Sequence, residues 1–187
     1  MLQLLILSFY LTNIGSLPMG IDSFKMKEAE SGKVFDIVVL SRPSEFSIKA
    51  QDKNLTYSED FTIINDTFYL RKRFIKIGLI SANLTYSPRR IRMVLPFAEK
   101  TSWFYSGTET GLGYKRRIES KGYMNMVEET IFIYNVSIRD GREDTSMVAF
   151  DKDYNLYKIT IQIPDIFGIY RILGFKSQNI LLMRETK

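Results

Sequence analysis

Thr130-Ile-Phe-Ile-Tyr-Asn-Val-Ser-Ile138 leads into Asp140-Gly141, and Thr145-Ser-Met-Val-Ala-Phe150 leads out. On both sides β-branched and aromatic residues alternate with polar ones, and the central dipeptide tolerates left-handed backbone angles. The combination spells a β-hairpin. A second turn, Asp151-Lys-Asp-Tyr-Asn155, returns the chain through Leu156-Tyr-Lys-Ile-Thr-Ile-Gln-Ile163. Tyr157, Ile159, Ile161 and Ile163 are spaced by two, so they share one strand face, which belongs to a core or a cavity.

The same grammar extends toward the N-terminus. Val34 to Leu40 is apolar enough to be buried on both faces, and Phe46 to Ala50 alternates. Phe61 to Ile64 and Thr67 to Leu70 flank Asn65-Asp66, a two-residue hairpin signal. Phe74 to Ile80, Leu84 to Tyr86, a Ser87-Pro88 turn and Ile91 to Leu95 make a meander. Trp103 opens a further strand, a glycine-rich connection runs from Gly107 to Gly113, and Tyr114 to Ser120 alternates again. No stretch of about ten residues carries helical patterning, although Asp165 to Phe175 suits a short helix. Strands recurring every 8–12 residues or so predict a mainly β chain built on a single strongly curved antiparallel sheet. The expected form is a half-barrel with at most one or two short helices.

Composition narrows the chemistry. The chain has 187 residues, 45% of them apolar, which is enough for one domain with a real core. With no His and no Cys it can hold no Ser-His-Asp triad, thiol nucleophile, disulfide or zinc site of the usual kind. The expectation is a non-enzymatic protein with no cofactor.

The first charged residue is Asp22, and a Leu-rich run begins at Met1. That run is shorter than the ~20 apolar residues of a bilayer span and has the character of a signal-peptide core. Residues 1–22 are therefore expected to be a leader or N-terminal apolar segment, with a single β domain over 23–187. Export to a periplasm or cell envelope follows from the leader, and a cysteine-free composition fits a bacterial envelope. Four Asn-x-Ser/Thr sequons, at Asn54, Asn65, Asn83 and Asn135, fall where polar turns and strand ends are expected anyway.

Three motifs dissolve on inspection. Gly107-Thr-Glu-Thr-Gly-Leu-Gly113 lacks the Gly-Lys-Ser/Thr ending of a phosphate loop and reads as a strand connection. Asp151-Lys-Asp153-Tyr-Asn155 imitates a calcium loop, but Leu156 and Gln162 stand where Gly and Glu are required. The acidic pairs Glu128-Glu129 and Glu143-Asp144 each split between two strand faces, so neither forms a two-carboxylate site alone.

Charge is unevenly spread. Residues 65 to 125 hold 12 Lys/Arg against 4 Asp/Glu, a net of +8, while the remainder holds 14 against 17, a net of −3. Arg71, Arg73, Arg90 and Arg92 are the residues expected to meet an anionic membrane surface, nucleic acid being a poor partner for an exported chain. The plainer reading of these clusters is a solvated sheet face.

Leu95-Pro-Phe97, Ser102-Trp-Phe-Tyr-Ser-Gly107 and Phe150-Asp-Lys-Asp-Tyr-Asn-Leu-Tyr-Lys-Ile159 resemble segments of Gram-negative periplasmic half-β-barrel proteins. These are the lipoprotein-carrier-like proteins and neighbouring envelope domains, and the likeness spans roughly residues 95 to 170. It implies a concave apolar surface that shelters an acyl chain and carries no catalytic residue. On that reading Trp103, Tyr105, Tyr157, Ile159, Ile161 and Ile163 line the site, and a lipid or other apolar small molecule fills it. The alternative is a structural or interaction module whose sheet is packed shut. A lipid-facing outer-membrane barrel is disfavoured by the many charges within the strands.

Overall fold

The computed structural model describes residues 17–95, 101–111, 113–139, 142–163 and 178–185. Twelve strands follow in order: β1 (Gly20–Glu28), β2 (Val34–Arg42), β3 (Glu45–Gln51), β4 (Leu55–Ile64), β5 (Thr67–Ile77), β6 (Ile80–Val94), β7 (Ser102–Gly111), β8 (Tyr114–Val127), β9 (Thr130–Arg139), β10 (Arg142–Phe150), β11 (Leu156–Gln162) and β12 (Asn179–Arg184). Each strand pairs antiparallel with its sequence neighbours, and β1 pairs with β12, so the sheet closes into a barrel. The antiparallel β architecture agrees with the sequence reading, whereas the half-barrel is corrected to a closed one. Closure rests on one short ladder, Met26 to Glu28 of β1 against Arg184 to Leu182 of β12. It removes the two unpaired edges that a half-barrel would expose.

Local signals read from the sequence recur in the backbone. Asn65 and Asp66 take φ values of 47° and 58°, and Ile64 pairs with Thr67 across them, as a two-residue turn requires. Arg139 pairs with Arg142, so the β9–β10 connection is the Asp140-Gly141 dipeptide, which itself lies outside the described residues. In the Asp151 turn one carboxylate oxygen, Oδ1, accepts from the backbone N–H of Asp153 and of Asn155, both at 2.9 Å.

Other expectations change. Ser87-Pro88 is not a turn between strands but part of β6, where pairing with β5 jumps from Thr85–Lys72 to Arg90–Leu70. The bulge absorbs the proline, which has no N–H to give to a ladder. Gly107 to Gly111 lies within β7 rather than in a loop. There a Cβ on Gly111 would fall 2.7 Å from the Asn83 carbonyl oxygen, so glycine lets β7 approach β6 closely. The barrel also starts earlier than residue 23, because β1 begins at Gly20 and Leu17 is buried in the core. Residues 1–16, which carry the leader expectation, and the helix expected at Asp165 to Phe175 lie outside the described residues. Among the described residues there is no helix.

Inward positions are filled by large apolar side chains. Phe46, Phe61 and Phe68 form a three-ring cluster with centroids 5.6–6.5 Å apart, and Phe35, Ile48, Leu70 and Phe150 are buried in the same apolar core. Outward positions of β3, β4 and β6 include Ser47, Lys49, Thr56, Ser58, Asp60, Ser81, Asn83 and Thr85, with Ile64 and Ile80 exposed at strand ends.

Candidate functional site

Five of the six side chains expected to line an apolar concavity do face the lumen. Ile159, Ile161 and Ile163 are at most 2% exposed, and Trp103 and Tyr105 are buried as well. The Trp103 indole lies on Gly122, its cross-strand partner, at a spot that any Cβ would invade. The Tyr105 hydroxyl donates to the Pro88 carbonyl oxygen at 3.0 Å. Tyr157 is the exception. Pairing between β10 and β11 shifts from Ala149–Lys158 to Phe150–Leu156, so Tyr157 is the extra residue of a bulge and Leu156 takes the inward place. Tyr157 instead borders an outer groove with Arg184 and Glu185, and the Lys158 ammonium lies 5.0 Å from its ring.

The lumen also holds a polar layer. Of the four arginines expected on an anionic-contact surface, only Arg71 is exposed; Arg73, Arg90 and Arg92 are at most 2% exposed and point into the barrel. The cause for Arg73 is a bulge: Lys72 pairs with Asp60 and Leu70 with Phe61, leaving Arg71 unpaired. One extra residue reverses the faces of all that follows, so Arg73, Ile75 and Ile77 turn inward.

A carboxylate that the sequence reading passed over organises these arginines. Glu59 Oε1 accepts from Arg73 Nε at 3.0 Å and from Arg73 Nη2 at 2.6 Å, and Glu59 Oε2 lies 3.5 Å from Arg92 Nε. Across the lumen Arg92 Nη1 donates to Ser146 Oγ at 2.5 Å, Arg90 Nη2 donates to Ser137 Oγ, and Arg73 Nη1 donates to Gln162 Oε1 at 3.3 Å. Asn135 Nδ2 donates to the Arg92 carbonyl oxygen at 3.0 Å. A second buried carboxylate, Glu109, accepts from Arg116 Nη2 at 2.7 Å and from the Tyr114 hydroxyl at 2.9 Å. Both acids had a readable signal. Glu59 keeps step with Leu55, Tyr57 and Phe61, and Glu109 with Trp103, Tyr105 and Gly107, so each sits on the inward face of its strand.

Burial alone would raise the Glu59 carboxyl, but Arg92 and Arg73 overcome it and hold the group down at about 2, against an ordinary 4.5. Burial opposes and Arg116 favours ionisation of Glu109, which also ends below its ordinary value. A depressed carboxylate stabilises the fold fully above its unfolded value and loses that contribution as pH falls through the folded one. The barrel should therefore weaken between pH 4.5 and about 2, by about 3 kcal/mol on Glu59 alone, to order of magnitude. Denaturant midpoints measured at pH 7, 4 and 2.5 check this, and a pH-independent midpoint would contradict it.

The acidic pairs do not converge. Glu128 and Glu129 occupy the β8–β9 turn, while Asp144, at the start of β10, accepts from Asn179 Nδ2 at 2.9 Å. Of the sequons, Asn54, Asn65 and Asn83 are exposed, but Asn135 is wholly buried in the polar layer and closed to modification in the folded chain. Searches against protein-family models, curated proteins and solved structures gave no match for the chain.

Proposed function

We propose that this chain is a non-enzymatic interaction module of the cell envelope, a barrel packed shut that works through its outer surface and loops. The reading is carried by one observation: the inward isoleucines, tryptophan and tyrosine touch other side chains instead of walling an apolar chamber. Among the described residues, the cavity that borders the apolar core, lined by Leu17, Phe46, Phe150 and Leu156, measures about 80 Å³. Pockets for small molecules usually run to roughly 300–1,000 Å³, so an acyl chain fits this cavity poorly.

The outer wall offers groups suited to contact. Tyr123 and Tyr134 stack across β8 and β9 at 5.0 Å, Phe132 continues the stack at 6.2 Å, and Phe104 and Ile138 are exposed on the same side. The leader-like N-terminus and the likeness to envelope proteins support the location. Native mass spectrometry of protein purified without detergent should give the bare chain mass. A stoichiometric lipid adduct would overturn the closed-module reading and restore the ligand carrier.

A further inference from the structure

Among the described residues the luminal arginines are under-neutralised. Glu59 pairs with Arg73 and Arg92 but not with Arg90; with Glu109 and its partner Arg116 included, four buried or half-buried positive charges meet two negative ones. Arg90 is the one without a carboxylate: its described contacts are the Ser137 hydroxyl and the Tyr86 ring, 5.9 Å from its guanidinium carbon. Its Nε, the Nη2 of Arg92 and the Tyr86 hydroxyl are all buried without a hydrogen-bond partner. Unpaired charge in a protein interior is expensive, and a guanidinium relieves the cost by finding an anion, since it does not give up its proton near neutral pH. Burial and the neighbouring cations Arg73 and Arg92 push Arg90 down only to about 10, so it stays charged at pH 7.

The wall beside these residues is weakly laddered. β6 and β7 share three residue pairs, Thr85 to Ser87 against Thr110 to Thr108, and part beyond Ser87. Arg90 and Arg92 lie on the parted half, on one face of β6 and about 7 Å apart along the strand. There the Pro88 and Arg92 carbonyls accept from the Tyr105 hydroxyl and the Asn135 amide, two groups from outside the β6 ladder. We propose that the barrel binds a small inorganic anion, a halide or an oxyanion, between the guanidinium groups of Arg90 and Arg92, reached through the seam between β6 and β7. Such an ion supplies the missing negative charge and gives partners to N–H groups that have none.

Thermal unfolding in a gluconate buffer of constant ionic strength, titrated separately with chloride, bromide and phosphate, tests the site. The midpoint should rise saturably, by roughly 3–6 °C at ten times the dissociation constant. Arg90→Gln should lose the response and Lys115→Gln, an exposed cation, should keep it. A response to bromide and chloride alone identifies a halide site, and one to phosphate alone an oxyanion site. Equal, unsaturating effects of all three ions that persist in Arg90→Gln would mean surface screening and overturn the proposal, as would no response at all. If Arg90→Gln does not fold, crystals of the unaltered chain grown in bromide decide. Anomalous density beside the Arg90 guanidinium supports the site, and density elsewhere only, or none, refutes it.

Discussion

Glu59→Ala is expected to lower the free energy of unfolding by about 3–5 kcal/mol, the usual cost of leaving a buried charge without its partner. Glu59 takes both Arg73 donors on one oxygen and faces Arg92 with the other. Its removal leaves three buried guanidiniums facing one another, with Glu109 already engaged by Arg116. Glu59→Gln should lose less, because an amide oxygen still accepts from Arg73 although the charge is gone. The pair Glu59→Leu with Arg73→Met should recover much of the loss, since apolar replacements avoid desolvating either ion. Urea denaturation of the four proteins measures this. A cost below about 1 kcal/mol for Glu59→Ala would mean that water reaches the cluster and screens it.

That cluster marks where reading the sequence stops working. Period-two alternation located the hairpins because Asn65-Asp66 and Asp140-Gly141 announce their turns locally and the flanking residues obey one parity. Parity then fails at bulges, which no residue type announces. Continuing the beat of Phe68 and Leu70 puts Lys72 and Phe74 inward, and only the unpaired Arg71 hands those places to Arg73 and Ile75. The bulge at Tyr157 reverses one assignment on β11 in the same way. Glu59 had the right parity but the wrong chemistry for a core, so its charge outweighed its position. Closure was illegible for a different reason. It depends on three residue pairs between β1 and β12, whose partners are about 155 residues apart in the chain, and no local pattern encodes such a meeting. β12 itself reads Asn-Ile-Leu-Leu-Met-Arg, an apolar run without a period that suits a helix as well as a strand.

Phe46→Ala should cost about 3–5 kcal/mol, a loss as large as that of Glu59→Ala but of different origin. Phe46 is 2% exposed and pairs across β3 and β4 with Phe61, the two rings 5.7 Å apart and tilted by 45°. Phe68 meets it edge-on at 5.6 Å. Truncation forfeits the buried ring area and both ring contacts, and strands paired on each side of β3 keep the wall from collapsing into the gap. Phe46 also lines the cavity of about 80 Å³, so the substitution separates the two readings of the lumen. In a packed barrel the denaturant midpoint falls steeply with an unchanged slope, since the same surface is exposed on unfolding. In a ligand carrier the ring would be pocket wall, and its loss would be nearly neutral for stability while widening the space for an apolar guest. A loss under about 1 kcal/mol together with new binding of a fluorescent fatty acid would sink the closed-module reading. The full loss without such binding would place the protein's work on its outer surface, because an enlarged lumen that still admits no acyl chain has no role as a container.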